Sequence, residues 1–377
     1  MRSRIATASI LIAFGLFATA CGGSSTGSAA KNTPAPGAGT SAGSGAGLAQ
    51  YQQLVESGQA AVTWAGPSQP AKAPAKKSLT VVTCTQALEG CKLLTAGAVN
   101  AAKAVGWSTR VIDVTDPTKY DQALQTAIAQ GASGIVLTGV DQRLVPGGLK
   151  AAKSKNVPVV SLFQNNMPGP DGVDVEVSPD FVREGKLLAA AMITDHQGKV
   201  NVLFMPDQEF SLPVAVLKTV KSELQACSAC TVKFAPEINF TAATIGTTLP
   251  GRVVAALRND SSINSLLVGF DPPVTQVIPG LRAAGLGSNV KFYSQLGTTA
   301  ALSFIADGNV MTADVGASNE WGGWGAVDEV IRLLNKQPTV PENVPVVLLT
   351  KQNLPPKGQP FVGLESGFKD KYLALWK

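Results

Sequence analysis

The side chains of this chain that could do redox or metal chemistry are five cysteines and one histidine. Cys84 and Cys91 flank the turn of LTVVTCTQALEGCKLL, between an apolar strand-like run and the start of a helical pattern, while Cys227 and Cys230 form ACSACTV. A redox-active CxxC opens a helix next to a strand, where the helix terminus lowers the thiol pKa. Cys227 instead follows the helical pattern LKTVKSELQA and precedes a strand, which favours a structural staple. A four-cysteine zinc site would need the two pairs to meet in space, and they lie well over a hundred residues apart. In an exported protein a close cysteine pair defaults to a disulfide, so the compartment decides between these chemistries. His196, in ITDHQGK, sits at an expected helix end and reads as a partner of the helix dipole. Asp328 and Glu329 are expected on a helix surface. No GxSxG, HExxH, Walker A or dinucleotide-binding glycine motif falls in a strand–helix context. No catalytic residue, metal or cofactor is therefore expected, and the chain does not read as an enzyme.

The compartment is legible at the N-terminus. In MRSRIATASILIAFGLFATACGG, Arg2 and Arg4 precede an apolar core, Ile5 to Phe17, and small residues lead to Cys21. That is an export signal over residues 1–20, too short for a stable span. Small residues followed at once by Cys and Gly resemble a bacterial lipobox, with Ala18 where leucine is usual, so Cys21 is the expected lipidation site. Residues 21–77 then read as a lipid-anchored flexible tether, rich in Gly, Ser, Ala, Thr and Pro, and a leader segment. The tether and signal also carry the charge. Of 31 basic and 26 acidic residues, six basic and one acidic precede Leu79, which leaves 25 of each and a neutral body. Nucleic acid is not an expected partner.

The elements that must position these residues form an alternation. Strand-like runs at Leu79–Thr83, Thr109–Val114, Gly134–Leu137 and Val157–Leu162 are separated by amphipathic helical stretches. The pattern resumes with strands at Val200–Phe204, Val232–Phe234, Ser265–Val268 and Lys291–Tyr293, and helices near Val182–Ile193, Leu212–Leu224, Ala242–Leu257, Val274–Ala284 and Thr299–Ala306. Such repetition gives parallel sheets covered by helices on both faces. It breaks at FQNNMPGPDGVDVEVSPD and near DVGASNEWGG, candidate crossovers between two lobes. In doubly wound sheets ligands bind beyond the carboxyl ends of the strands, and two facing sheets would bring those ends together across a cleft.

The ordered series GAVNAAKAVGWSTRVIDVTDPTKYDQALQTAIAQGASGIVLTGVDQ, LKAAKSKNVPVVSL, SPDFVREGKLLAAAMI and FIADGNVMTADV resembles the ribose-binding-like branch of the type I periplasmic binding proteins, the solute receptors of ABC importers, from Leu79 to about Val347. The leader VTWAGPSQPAKAPAKK, with Trp64, Gly66 and Pro67, is similar to segments preceding the first strand in actinobacterial members. The resemblance implies an α/β fold of two doubly wound parallel-sheet lobes joined by three crossovers around a ligand cleft. Its expected lobes are residues 78–165 with 310–343, and 166–309 with 344–377.

By the same resemblance the protein would be a monomer anchored to the outer face of the cell membrane. It would capture a small neutral solute (sugar, polyol or glycoside-like) and deliver it to the transmembrane permease subunits of an ABC importer. A sensor of the same fold, reporting to a membrane signalling receptor, is the alternative.

In ribose-type receptors the first-strand turn carries a pair of phenylalanines against the sugar; here Gly90 and Cys91 fall there. A Cys84–Cys91 disulfide would stiffen this turn and leave Thr85, Gln86 and Glu89 to face the ligand, with Cys227–Cys230 as a second staple. The Asp-Arg pair expected after VPVV is Phe163 and Gln164, the aspartate ending a later strand is Leu296, and the glutamine after the third crossover strand is Gly316. These departures favour a guest with more apolar surface or less charge than a pentose. Asn165, Asp207, Gln208, Phe240, Asp271, Gln295, Asn319 and Trp321 complete the expected ligand contacts.

Overall fold

A computed structural model describes residues 44–377 except 208 and 309. The expected signal peptide, the Cys21 lipidation site, the tether up to residue 43 and Gln208 lie outside the described residues. The elements in order are α1 (Ser44–Gly58), β1 (Ser78–Cys84), α2 (Glu89–Ala104), β2 (Ser108–Val114), α3 (Tyr120–Ala129), β3 (Gly134–Thr138), α4 (Pro146–Ser154), β4 (Val159–Leu162) and β5 (Val175–Val177). There follow α5 (Phe181–Asp195), β6 (Lys199–Met205), α6 (Ser211–Ala226), β7 (Thr231–Phe234), α7 (Leu249–Asn259), β8 (Ser265–Val268), α8 (Val274–Ala283) and β9 (Lys291–Gln295). The chain ends with α9 (Thr299–Ala306), β10 (Met311–Ala317), α10 (Asn319–Leu334), β11 (Val346–Leu349) and α11 (Phe368–Leu375).

The strands form two sheets, β2-β1-β3-β4-β5 and β11-β10-β9-β8-β6-β7. All neighbours run parallel except β11, which lies antiparallel to β10. Helices cover both faces, as apolar central strands such as β3, buried at every position, require. This is the two-lobed α/β architecture expected. The chain passes from the first sheet to the second after β5, back to the first lobe at α10, and again to the second before β11. Two of these crossovers touch through a bridge between Pro179 and Val344.

The lobe limits differ in detail from the sequence expectation. β5 lies past residue 165 but pairs with β4 in the first sheet. β10, expected in the first lobe, pairs with β9 and β11 in the second, and only the helix after it returns to pack on α2. That packing is close because both helices are glycine-lined there: a Cβ on Gly323 would stand 2.4 Å from the Ala98 nitrogen, and one on Gly97 2.7 Å from the Glu320 carbonyl. The helix expected over 242–257 is also broken. A 3-10 turn covers Ala242–Thr244, and α7 starts at Leu249 with Pro250 in its first turn, where proline's missing N–H costs nothing.

The described part of the expected tether and leader is folded onto the body. α1 packs on α5 and β11, with Tyr51 buried. Farther on, Ala71 N–H donates to the Leu375 carbonyl (2.9 Å) and Ala73 N–H to that of Trp376 (3.0 Å). Trp64 stacks on Trp321 at 4.9 Å between ring centroids. Periodic apolar residues within GLAQYQQLVESG supply the face that makes this helix worth burying.

Asp328 and Glu329, expected on a helix surface, are fully buried instead. α10 is enclosed by α2, α11 and the leader. Asp328 takes the Arg332 guanidinium at 2.5 Å and the Trp376 indole N–H at 2.6 Å, and Glu329 accepts the Val340 N–H at 2.8 Å. His196 does cap α5, but burial and the Lys291 charge lower its pKa, so near neutral pH it brings no positive charge to the helix dipole.

Candidate functional site: the cleft between the sheets

Six strands deliver their carboxyl ends to the space between the lobes. β1 ends at Cys84, β3 leads to Gly139 and β4 to Phe163 and Gln164. From the second sheet β6 leads to Phe210, β8 to Phe270, and β9 ends at Gln295 before Leu296. These residues, with Leu88, Cys91, Leu94, Leu212, Pro213 and Pro272, enclose a cavity of about 60 Å³. It adjoins a wider chamber of about 640 Å³ that shares Cys84, Leu88, Gly139 and Phe210 and carries the polar groups of Thr85, Asp141, Arg143 and Glu209.

Two strained turns set the inner cavity. Phe163 has φ +60° and Leu296 φ +125°, values a side chain with a Cβ seldom adopts. Carboxylates hold both turns, a half-buried one at Phe163 and two fully buried ones at Leu296. Glu176 accepts the backbone N–H of Gln164 (2.9 Å), Asn165 (3.1 Å) and Asn166 (3.1 Å). On the facing lobe Asp314 accepts the Gly297 N–H at 2.9 Å, and Asp271 accepts the Thr298 N–H (2.8 Å) and hydroxyl (2.7 Å). Burial raises the Glu176 pKa despite these donors. Burial likewise raises that of Asp271 and drives Asp314, beside it, well above the carboxylate range, so the neighbouring pair retains a proton. Each turn thus aims an apolar side chain, Phe163 or Leu296, and an adjacent glutamine at the cavity.

Both expected disulfides are present, with Cα atoms 5.8 Å apart for Cys84–Cys91 and 5.3 Å for Cys227–Cys230. The first walls the inner cavity. The second joins the end of α6 to the start of β7, remote from the cleft lining.

Of the residues expected at the ligand, the structure brings Phe163, Gln164 and Gln295 together in the inner cavity and Thr85 into the outer chamber. The others go elsewhere. Gln86 turns inward, its amide donating to the hydroxyls of Thr83 and Thr95. Glu89 reaches across the cleft, accepting the Thr299 N–H at 3.1 Å and hydroxyl at 2.7 Å at the start of α9. Asn165 is exposed outside both cavities. Asp207 is fully buried, and burial pushes its pKa up to about 7. Phe240 lies behind the lining, stacked on Phe270 at 6.0 Å. Asp271 spends its oxygens on Ser294 and Thr298. Asn319 donates to the Leu296 carbonyl at 3.1 Å. Trp321 is fully buried in an aromatic cluster with Trp64 and Phe368, its indole N–H on the Glu342 carbonyl, because α10 turns that face toward the leader and α11 rather than the cleft.

Sequence reasoning missed Leu88, Leu94, Phe210, Leu212 and Phe270. Phe210 and Phe270 follow shortly after the ends of β6 and β8, so the rule that strand ends face the ligand, applied to every strand, would have found them.

A family model described as the periplasmic binding protein domain matches residues 81–338. No curated protein matches the sequence. Among solved structures, an ABC sugar transporter subunit from Rhodobacter sphaeroides superposes with a TM-score of 0.66 at 20% identity, over 74% of this chain and 99% of that one. An ABC transporter solute binding protein from Mycobacterium smegmatis, with bound glycerol, gives 0.66 at 19%, covering 76% and 99%. A Caulobacter myo-inositol binding protein, bound to myo-inositol, gives 0.65 at 20%, covering 74% and 94%. At these identities the likeness establishes the fold.

Proposed function

This chain belongs to the periplasmic binding protein domain family, and on that premise we propose that it is an extracytoplasmic receptor that captures one small neutral solute and hands it to an ABC importer. The solute is sugar-, polyol- or glycoside-like and is bound without being altered. Closure of the two lobes about their three crossovers traps it, and a lipid on Cys21 holds the receptor at the outer face of the membrane.

The observation that carries this reading is the meeting of strand ends from both sheets around one cavity with no ionised group in its lining. Hinge closure of two domains on a guest is an established mode for this family. The Glu89–Thr299 contact joins one lobe to the other and suits a latch for the closed form.

A thermal-shift screen over sugars, polyols, glycosides and small aromatics tests the proposal. A solute present at a hundred times its Kd stabilises the folded receptor by about 2.7 kcal/mol. A hit should also stimulate the ATPase of the cognate permease in reconstituted membranes. A screen without a hit, or a hit whose bonds are altered on incubation, would contradict the reading.

A further inference from the structure

Two side-chain amides stand in the inner cavity with hydrogen-bonding capacity unused. Gln164 comes from the first lobe and Gln295 from the second; both are about 1% exposed and both line the cavity. Gln164 Nε2 has no partner. Gln295 Nε2 donates to the Gly269 carbonyl, which leaves its Oε1 unpartnered. A buried amide atom left unpaired is costly, so an orphan donor and an orphan acceptor on two side chains that line one cavity mark where a guest completes the bonding. Every other side chain named in the lining is apolar or belongs to the disulfide: Leu88, Phe163, Phe210, Phe270 and Leu296 among them.

Resting on the receptor reading above, we infer that the lobes part and reclose on a guest whose apolar ring, carrying a single hydrogen-bonding group, widens the inner cavity of about 60 Å³ as it seats there. Any hydroxyl-rich portion stays in the outer chamber beside Thr85, Asp141 and Glu209. The polar handle of the ring accepts from Gln164 and donates to Gln295, as one hydroxyl or a lactam N–H and C=O can. A pyranose or inositol ring in that position would bring several hydroxyls to a lining whose only polar side chains are these two amides. Each buried hydroxyl left unpaired weakens binding by roughly ten- to a hundred-fold. The aromatic lining selects for ring faces, and closure of the lobes brings the two amides onto the handle from opposite sides. The solute class that fits is an aryl or alicyclic glycoside, or the free ring alcohol, in preference to a free sugar or polyol.

Isothermal titration of the full chain with two matched pairs of probes tests this. Phenyl β-D-glucopyranoside should bind at least tenfold tighter than methyl β-D-glucopyranoside, and cyclohexanol at least tenfold tighter than myo-inositol. Gln164→Leu should weaken cyclohexanol binding about tenfold while leaving the melting temperature intact; Gln295→Leu should weaken it as much and also lower the melting temperature, because the Gly269 carbonyl loses its donor. Tighter binding of the methyl glycoside or of myo-inositol would overturn the assignment of solute class and leave the receptor reading standing, since a solute is then still captured. Silence from all four probes would overturn the assignment too, and the wider solute screen would judge the receptor reading separately.

Discussion

Glu89→Ala should open the cleft without unfolding either lobe. Glu89 is the first residue of α2, and its carboxylate meets the first residue of α9 on the other lobe through two hydrogen bonds, at 3.1 and 2.7 Å. Hydrogen bonds to a charged group contribute about 1.5–3 kcal/mol each when buried, and loss of a helix cap costs about 0.5–2 kcal/mol. Glu89 is partly exposed, so water recovers much of this, and a net of about 1–2 kcal/mol is left in the closed form. That moves the open–closed equilibrium about 5- to 30-fold toward open and weakens solute binding by up to the same factor. Fluorescence energy transfer between dyes on the two lobes reads the equilibrium, and titration with the best solute from the screen reads the affinity. Glu89→Gln keeps an acceptor and should recover part of the loss. Glu89→Ala and Thr299→Val should be non-additive by about 1 kcal/mol in a double-mutant cycle. An unchanged dye distance and affinity in Glu89→Ala would show that this contact does not latch the lobes.

Three further outcomes follow from the buried groups. Asp207 titrates near pH 7 in the folded state and near 4 unfolded, so unfolding releases its proton between those values and the folded state loses stability as pH rises from about 4 to 7. Asp207→Asn removes that dependence: in urea unfolding it should match the parent near pH 4 and exceed it by about 1–2 kcal/mol at pH 8. Glu176→Ala leaves three backbone N–H donors of the 164–166 turn without their acceptor and should cost about 2–4 kcal/mol in the same assay, with Glu176→Gln intermediate. Trp64→Ala removes the ring stacked on Trp321 and edge-on to Tyr372 at 5.1 Å; because Trp64 is only half-buried, the loss should be about 2–3 kcal/mol by circular dichroism.

The fold was legible because strand and helix alternate with periods of two and 3.6, and each period reports which faces are buried. What local pattern does not encode is which sheet a strand joins after a crossover. β10 and α10 are adjacent in sequence yet serve different lobes, and only the small-residue contact of Gly97 and Gly323 explains why the helix turns back. The site was partly legible for the same reason. Phe163, Gln164 and Gln295 sit at strand ends, where position in the sheet fixes orientation. Trp321 and Asp271 were misplaced because chemistry suggested a ligand while the neighbours that claim them, Trp64 and Thr298, are remote in sequence. The helix over 44–58 was hidden by the Gly- and Ala-rich composition that runs into it.

A structure of the protein with its tightest solute bound tests the proposed capture without intermediaries. It should show one intact molecule between the lobes, with its ring against Phe163 and Phe270 and hydrogen bonds to Gln164 and Gln295. A solute held by one lobe alone, or outside the cavity between the two sheets, would contradict it.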